Sequence, residues 1–478
     1  MKKLLQICLI VLIGLPAYTQ GVDADSKQLC GLTGKELLEV RRDVKKNILS
    51  LKAAGKLRFV ESDIAAVQQQ RLLEPQAPIG IRFDWPMRPK NAEDYRYYHI
   101  GNYTDLDTTG EECIRDYNGG HRTYNGHQGI DIGIGPYQWA RQKAGDIYAV
   151  AAAPGIIVER HDGEFDRNCD WDNITGSTGR GNHVVILHAD DSTVSFYMHL
   201  KNGSVTNKQI GDAVVAGEIL GSIASSGRST GPHLHFQVNT SWTHPEDDKG
   251  FFVDPFFGQF NWTTTVSLWK SQKEYNEPGI YDMETHLGTT MDSYTSNCDS
   301  VVSLSTLRTN FQPNNTIGFR TYLIDWVDGS QVVGGVLDPS GNIYHTWGAR
   351  TNQCTYWNNW CKYNTRGDIC RVYHLNENLT LPANAPAGTY TYWVQYNGII
   401  THHYFSVGCL QTMTFSGTQG GRRGFLVSNT ITSTSTIAGI SSNRITYKAD
   451  NYVLLSPGFV ATAGCEFSAS TEGCTTGK

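Results

Sequence analysis

The sequence predicts a mainly β protein with a short helical segment near its N-terminus. Over residues 81–260 and 261–408, runs rich in β-branched and aromatic residues alternate with turns that contain glycine or proline, a pattern typical of antiparallel strands. Helical periodicity is confined to residues 21–80. With 478 residues the chain is too long for one ordinary core, and we expect roughly three domains.

The first twenty residues have the features of an export signal. Lys2 and Lys3 precede an apolar run from Leu4 to Leu15, and Pro16 with small or polar residues follows. This run is too short to cross a bilayer comfortably, and no later segment is apolar enough to do so. We therefore expect residues 1–20 to be a signal peptide, and the protein to be secreted or periplasmic without a membrane span.

A helical segment is expected over residues 21–80. Thr33 and Glu36 match a capping box. The apolar residues that follow at helical spacing are Leu37, Val40, Val44, Ile48 and Leu51. A second short helix is expected from near Ser62 to Leu73, where Glu74 and Pro75 end it. Two amphipathic helices ahead of a larger domain are compatible with a prosegment and equally with a small docking subdomain that stays attached.

The next segment, residues 81–260, is expected to be an antiparallel β domain with little helix. Its predicted strands are Ile147 to Val150, Ile156 to Val158, Val184 to His188, Val194 to His199, Ala213 to Ile219 and His233 to Val238. His183 is expected to face outward, because its neighbours on the strand alternate. His188, at a strand end, is expected to be structural.

Two further β units are expected towards the C-terminus. Residues 261–408 predict an immunoglobulin-like β-sandwich, since the run from Thr389 to Tyr396 alternates and turns such as Asp338 to Gly341 separate the strands. Residues 409–478 are rich in Ser, Thr and Gly with apolar residues at short intervals. This composition predicts a small β C-terminal module of stacked strands, with a low-complexity linker as the alternative.

Charge and cysteine content limit the partners and the compartment. The formal net charge is -6 and no Lys/Arg-dense patch occurs, so nucleic acid is not an expected partner. Removing the signal removes Cys8 and leaves ten of the eleven cysteines, an even number that suits an oxidising compartment and disulfides. The candidate pairs are Cys113 with Cys169 and Cys465 with Cys474.

Two short motifs indicate a metal site. His127 and Asp131 are four residues apart in a glycine-rich, extended segment, and His233 and His235 are two apart on a predicted strand. Each spacing places its pair on one face of a strand, so two neighbouring strands could direct four polar side chains to one place. Imidazole and carboxylate suit zinc, whereas calcium and magnesium prefer mostly oxygen ligands. Either motif alone is more often structural than functional.

The combination of fragments resembles a known family. The run from His127 to Asp131, the fragment Tyr197-Met-His199-Leu200 and the fragment from Gly231 to Phe236 resemble the signature of the lysostaphin-type zinc metalloendopeptidases. Further fragments in that family's order are Ala153 to Val158, Gly179 to Ile186, Gly211 to Gly217 and Gly221 to Gly227. The resemblance covers about residues 83–257.

This resemblance implies the composition of the site. His127, Asp131 and His235 would hold one zinc ion per chain, and His199 and His233 would be the catalytic pair. Their individual roles stay open. We favour His233 as the base, because the adjacent ligand His235 fixes its strand beside the metal.

The resemblance also implies a role for a tyrosine and an overall activity. Tyr124, three residues before the first ligand, is the candidate that stabilises the oxyanion. The antiparallel β domain would then be the catalytic domain of a secreted zinc metalloendopeptidase that hydrolyses peptide bonds in peptidoglycan cross-links or glycine-rich polypeptides. The alternatives are a zinc endopeptidase acting on extracellular matrix-like proteins and a non-catalytic cell-surface binding protein. We expect a monomer.

Overall fold

The computed structural model describes residues 34–90, 95–107, 113–169, 181–240, 251–291, 306–325, 330–351, 372–419, 422–437, 444–463, 465–471 and 473. The described residues form three helices, α1 (Gly34–Ala53), α2 (Glu61–Leu73) and α3 (Gln138–Ala144). The sequence predicted the first two helices but not the third. Among the described residues, no helix is both long and apolar enough to cross a membrane.

The central β domain contains eleven strands in its described part. They are β1 (Met87–Pro89), β2 (Tyr98–Asn102), β3 (Ile130–Ile134), β4 (Ile147–Val150), β5 (Gly155–His161), β6 (Asn182–His188), β7 (Val194–Leu200), β8 (Ala213–Val214), β9 (Ile219–Ser222), β10 (His233–Thr240) and β11 (Phe251–Phe252). Eight of them form one sheet in the order β2-β3-β10-β7-β6-β5-β8, with β11 paired to β10. A smaller sheet has the order β1-β4-β9. The pairings within both sheets are antiparallel, as predicted.

Both faces of the large sheet are covered over β5, β6 and β7. One face packs into the main core through residues such as Val184 and Tyr197. The other face carries an apolar patch formed by Ile156, Val158, Val185, Leu187, Val194, Phe196 and Met198. Helix α1 lies on this patch and buries Val40, Val44 and Ile48 against it. Helix α1 is therefore packed against the β domain rather than separate from it.

Two expectations for this domain were wrong. The predicted strand from Ala213 to Ile219 is divided between β8 and β9, which lie in different sheets, because a turn containing Gly217 at φ 79° reverses the chain between them. His183 is buried rather than outward-facing. Its ring stacks on that of His161 at 5.8 Å, and its Nδ1 donates to the carbonyl oxygen of Gly181 at 2.9 Å. As expected, His188 is a buried structural residue.

A β-sandwich follows the central domain. Its strands are β12 (Gly279–Leu287), β13 (Asn310–Phe311), β14 (Thr316–Ile324), β15 (Gln331–Leu337), β16 (Ile343–Thr351), β17 (Val372–Thr380), β18 (Gly388–Tyr396) and β19 (Ile399–Val407). A three-stranded sheet, β12-β14-β17, packs on a five-stranded sheet, β13-β19-β18-β15-β16. The pairings are antiparallel apart from the parallel pair of β13 and β19. Phe319, Tyr390 and Phe405 lie in the core between the sheets.

The C-terminal module is a stack of parallel strands. They are β20 (Thr412–Phe415), β21 (Thr418–Gln419), β22 (Arg422–Val427), β23 (Thr430–Ser433), β24 (Thr436–Ile437), β25 (Arg444–Ala449), β26 (Tyr452–Leu455), β27 (Val460–Ala461) and β28 (Glu466–Ser470). Each successive coil adds one strand to each of three parallel sheets, β20-β23-β26, β21-β24-β27 and β22-β25-β28. Ile431, Ile437 and Ile445 fill the interior. This is the stacked-strand arrangement that the spacing of apolar residues predicted.

The cysteines give a mixed result. Cys465 is a free thiol that donates to the carbonyl oxygen of Thr462 at 3.1 Å. The predicted pair of Cys465 with Cys474 is therefore wrong, and Cys474 itself lies outside the described residues. Cys113 and Cys169 are both disulfide-bonded, and their pairing with each other stays a prediction.

Candidate metal centre

The two predicted motifs meet on adjacent strands. Asp131 on β3 lies directly opposite His235 on β10 in an antiparallel pair, so both side chains point to the same face of the sheet. Asp131 Oδ1 is 3.0 Å from His235 Nδ1 and 3.2 Å from Nε2 of His127, which precedes β3. His127 Nε2 is 3.3 Å from His235 Nδ1. Each residue thus contributes one donor atom to a group whose members lie within 4.8 Å of one another.

A glycine allows this close approach. A Cβ atom at Gly129 would lie 2.7 Å from Nε2 of His235 and 2.8 Å from the carbonyl oxygen of Phe236. A side chain there would displace either the imidazole or the strand that carries it. The glycine between His127 and Asp131 is therefore a packing requirement of the site.

The ligands on the β3 side are oriented by partners on the side away from the metal. His127 donates from Nδ1 to the carbonyl oxygen of Tyr103 at 2.7 Å, which leaves the Nε2 lone pair facing the other donors. Asn102, opposite Asp131 on β2, donates from Nδ2 to Asp131 Oδ2 at 2.9 Å, which leaves Oδ1 for the metal. Outer partners of this kind fix the tautomer of a ligating histidine and the direction of a ligating carboxylate.

The third ligand is oriented along its own strand. His235 Nε2 donates to Gln237 Oε1 at 3.2 Å, and Gln237 Nε2 donates to Asn239 Oδ1 at 2.7 Å. The Nδ1 lone pair of His235 is thereby left for the metal. The sequence analysis missed this role of Gln237, although its position two residues after His235, on the same strand face, was a usable signal. Nothing in the local sequence indicated Asn102 or Tyr103.

Burial and charge set the protonation states that a metal requires. Burial alone would raise the pKa of Asp131, but the imidazoles of His127 and His233 outweigh it and hold this pKa well below its ordinary value. Burial lowers the pKa of His235 and lowers that of His199 well below the usual range. An ionised Asp131 carboxylate and a neutral His235 imidazole are the states in which these two groups coordinate a divalent cation. The donor set therefore fits zinc, which takes nitrogen and oxygen ligands of this kind.

The two remaining histidines flank the three ligands. The ring centre of His199 is 4.6 Å from that of His233 and 5.9 Å from that of His235. His199 donates from Nδ1 to the carbonyl oxygen of Ser226 at 2.7 Å, and its buried Nε2 has no hydrogen-bond partner within the described part of the chain. His233 donates from Nδ1 to the carbonyl oxygen of Gly231 at 2.7 Å, and its Nε2 lies 3.4 Å from Asp131 Oδ1.

His199 also has an unusual backbone. Its φ is 66°, in the left-handed region that residues with a side chain seldom adopt, at a cost of order 1–3 kcal/mol. The irregular pairing between β6 and β7 falls at the same place. This local distortion accompanies the placement of the imidazole beside the other histidines. The sequence did not indicate it.

Tyr124 lies beside the first ligand, where the resemblance put it. Its ring stacks on the His127 imidazole, with 4.2 Å between the ring centres and 27° between the planes. The side chain is buried, and its part in the reaction stays a prediction. The structure thus brings together all six residues selected from the sequence.

The site faces the same side of the sheet as α1. His235 and Gln237 lie opposite Met198 and Phe196 of the neighbouring strand, and opposite residues of an antiparallel pair share a face. Arg41 on α1 donates from Nη2 to Oε1 of Gln128 at 3.0 Å. The three ligands and the two flanking histidines are at most 8% exposed. Helix α1 and the candidate metal centre therefore lie on the same face of the large sheet.

The His–Asp–His donor set offers three candidate ligands to a divalent cation, a number typical of the zinc sites of metal-dependent hydrolases. The model of peptidase family M23 matches residues 125–248, a stretch that contains all three candidate ligands and both flanking histidines. The chain thus carries a peptidase M23 domain, which confirms the predicted lysostaphin-type family and the hydrolase class.

Relatives with this domain are longer than the shared part. Lysostaphin of Staphylococcus staphylolyticus is 35% identical over 129 residues, which are 26% of this chain and 24% of that protein. The glycyl-glycine endopeptidase ALE-1 of Staphylococcus capitis is 30% identical over 158 residues, which are 32% of this chain and 37% of that protein. The solved catalytic domain of the antimicrobial peptidase lysostaphin from Staphylococcus simulans aligns at 25% identity over 34% of this chain and 90% of that one, with a TM-score of 0.20.

Proposed function

We propose that this protein is a zinc metalloendopeptidase that hydrolyses peptide bonds in bacterial cell-wall cross-links or in other glycine-rich peptides. The observation that carries the proposal is the convergence of three donor atoms, each with an outer partner that leaves its free lone pair in the site. The glycyl-glycine specificity in the name of one relative supports the substrate class. A cell-wall substrate also agrees with the signal peptide predicted for residues 1–20.

The chain's own residues would divide the work of hydrolysis. His127, Asp131 and His235 would hold zinc, which when bound supplies a Lewis acid that polarises a carbonyl group and acidifies a water molecule. His199 and His233 would take the proton of the attacking water and return one to the departing amine. Burial keeps the pKa of His199 low, so this imidazole is neutral and can accept a proton at Nε2.

The oxyanion that forms in the transition state needs a hydrogen-bond donor. Tyr124 is our candidate, because its ring is stacked on that of His127 and its phenol is a neutral donor near neutral pH. A Tyr124→Phe variant would keep the stacking and remove only the donor.

The proposed function is tested with the purified full chain, prepared metal-free and then loaded with zinc. Defined cell-wall peptides with glycine cross-bridges, glycine-free wall peptides and a glycine-rich matrix protein serve as substrates, and mass spectrometry identifies the products. We expect cleavage at bonds next to glycine in the wall peptides, lost with a chelator and restored by zinc. Activity that survives chelation would contradict a metal mechanism. Cleavage of the matrix protein alone would contradict the wall substrate.

We also propose that α1 limits the access of substrate to the metal centre. The helix lies on the metal-bearing face and contacts Gln128, the neighbour of a ligand. Its Asn47 donates from Nδ2 to Oε2 of Glu159 on β5 at 2.7 Å. The apolar patch beneath it would be an exposed surface of unusual size without the helix. This placement is compatible with both expectations for residues 21–80, and the proposed inhibition by α1 corresponds to the prosegment.

A charge in the buried face of α1 tests this proposal. Val44→Asp places a carboxylate in the apolar patch, which costs several kcal/mol and should displace the helix. We expect the hydrolysis rate to rise several-fold. The matched control is Leu49→Asp, which makes the same one-unit change of charge at an apolar residue on the exposed face of α1 and should leave the rate unchanged. A stable Val44→Asp variant with an unchanged or lower rate would show that the helix is a permanent cover and not an inhibitor.

A further inference from the structure

A buried ion pair joins the β-sandwich to the domain that carries the metal centre. Asp325 follows β14 of the sandwich, and Arg122 lies five residues before the ligand His127. Arg122 donates from Nη2 to Asp325 Oδ1. The two side chains are only 1% and 6% exposed. An ion pair so deeply buried holds the two domains in a fixed relative position, because separating the charges would leave each one buried without a partner.

On the peptidase side, Arg122 is fixed against Tyr103. Its guanidinium lies over the ring of Tyr103 at 5.5 Å and over that of Tyr275 at 5.7 Å from the centroids. These two rings are stacked at 5.4 Å. The backbone carbonyl of Arg122 also accepts a hydrogen bond from the backbone N–H of Tyr103 at 2.6 Å. A displacement of Arg122 would therefore move Tyr103.

Tyr103 in turn orients the first metal ligand. Its carbonyl oxygen accepts hydrogen bonds from His127 Nδ1 at 2.7 Å and from Thr123 Oγ1 at 2.7 Å. The hydrogen bond from His127 sets both the tautomer and the direction of the imidazole. Contacts thus run without interruption from Asp325 through Arg122 and Tyr103 to His127.

On the sandwich side, Asp325 is itself held in place. Its Oδ2 accepts the backbone N–H of Glu277 at 2.8 Å. Its carbonyl oxygen accepts a hydrogen bond from the hydroxyl group of Tyr396 at 3.1 Å, and Tyr396 belongs to the sandwich core. The carboxylate is anchored in the second domain and cannot simply follow the arginine.

We propose that Asp325 is a positioning residue for the metal centre. The sandwich, through Arg122 and Tyr103, holds the His127 imidazole so that Nε2 faces Asp131 and His235. The sandwich is then a working part of the peptidase and not a tethered binding module. This inference rests on the proposed function in one respect, namely that the site binds zinc.

The test measures zinc affinity by competition with a chromophoric chelator. Asp325→Asn, made in the full chain, removes the charge and keeps the size of the side chain. We expect the zinc affinity to fall about 10-fold, the lower end of the range for loss of an outer-shell partner, because Asp325 acts on His127 through two intervening residues. The matched control is Asp338→Asn, which makes the same change of side chain in a distant turn of the sandwich, where Asp338 Oδ1 accepts the N–H of Asn342 at 2.9 Å. It should bind zinc as the wild type does. Equal affinities in the two variants would overturn the proposal.

A measurement on the wild type covers the case in which Asp325→Asn does not fold. If docking of the sandwich favours zinc binding, zinc must equally favour docking. Zinc should then slow hydrogen exchange of the Glu277 N–H that donates to Asp325. It should not affect the Asn342 N–H, which donates to Asp338 Oδ1 at 2.9 Å in a distant turn. Equal exchange at Glu277 with and without zinc would also overturn the proposal.

Neither measurement uses hydrolysis, so the two proposals fail separately. A chain that binds zinc with the expected coupling but cleaves no peptide would contradict the proposed function and leave the role of Asp325 intact.

Discussion

Replacing His235 with alanine is expected to abolish hydrolysis and to lower zinc affinity at least about a hundredfold. Four-ligand zinc sites bind with roughly 10–16 kcal/mol, or about 3 kcal/mol for each ligand, and every 1.4 kcal/mol is a tenfold change in affinity. The nearest other imidazoles, those of His199 and His233, are assigned to proton transfer in the proposed mechanism, so recruiting either one as a replacement ligand would still abolish hydrolysis.

Zinc content of the dialysed protein and the rate on wall peptides together check this result. His345→Ala is the matched control, since His345 lies on β16 of the sandwich, in the domain that does not carry the ligands. It should keep both zinc and activity. A His235→Ala variant that retains stoichiometric zinc or the wild-type rate would remove this residue from the metal site.

Replacing His199 or His233 with glutamine is expected to lower kcat by about 10²- to 10⁴-fold while zinc stays bound. This is the usual contribution of a positioned general acid or base, and neither residue is needed as a ligand in the proposed set. Glutamine can still donate to the carbonyl groups of Ser226 and Gly231, which the two imidazoles now contact. The substitution therefore removes the group that transfers protons and largely preserves the packing of the side chain.

Single-turnover rates and zinc content, measured on both variants, check the second result. His188→Gln is the control, because His188 is equally buried on the adjacent β6 but contacts the carbonyl oxygen of Pro154 and the hydroxyl of Ser195. It should alter stability and leave kcat near that of the wild type. A histidine variant that keeps both zinc and kcat would exclude that histidine from proton transfer.

Local patterns in the sequence were sufficient to select the candidate site residues. A strand has a period of two residues, so the spacing of His233 and His235, and that of His127 and Asp131, placed each pair on one side. The family motifs then connected the two pairs and added His199. Strand positions such as Ile147–Val150 also followed from composition alone. Several strands, and the set of candidate ligands that the structure brings together, were therefore predictable.

The two-residue alternation of a strand gave a wrong prediction where neither face of the sheet is solvated. His183 was expected to face outward because its neighbours on the strand alternate, and alternation places a residue in solvent only where one face of the sheet is solvated. Here the core covers one face of β6 and α1 helps to cover the other, through neighbours such as Val184 and Val185. The residue pattern of a strand cannot predict that a helix more than a hundred residues away in the sequence will cover one of its faces.

The sequence by itself determined which residues could bind the metal, because motif spacing is a local property of the chain. Only the tertiary structure decided what surrounds them: α1 on the metal-bearing face, Asn102 and Tyr103 behind the ligands, and Asp325 paired with Arg122. These contacts join segments that lie up to about 200 residues apart. They depend on strand register and domain docking, which the packing of the whole chain fixes and no local window encodes.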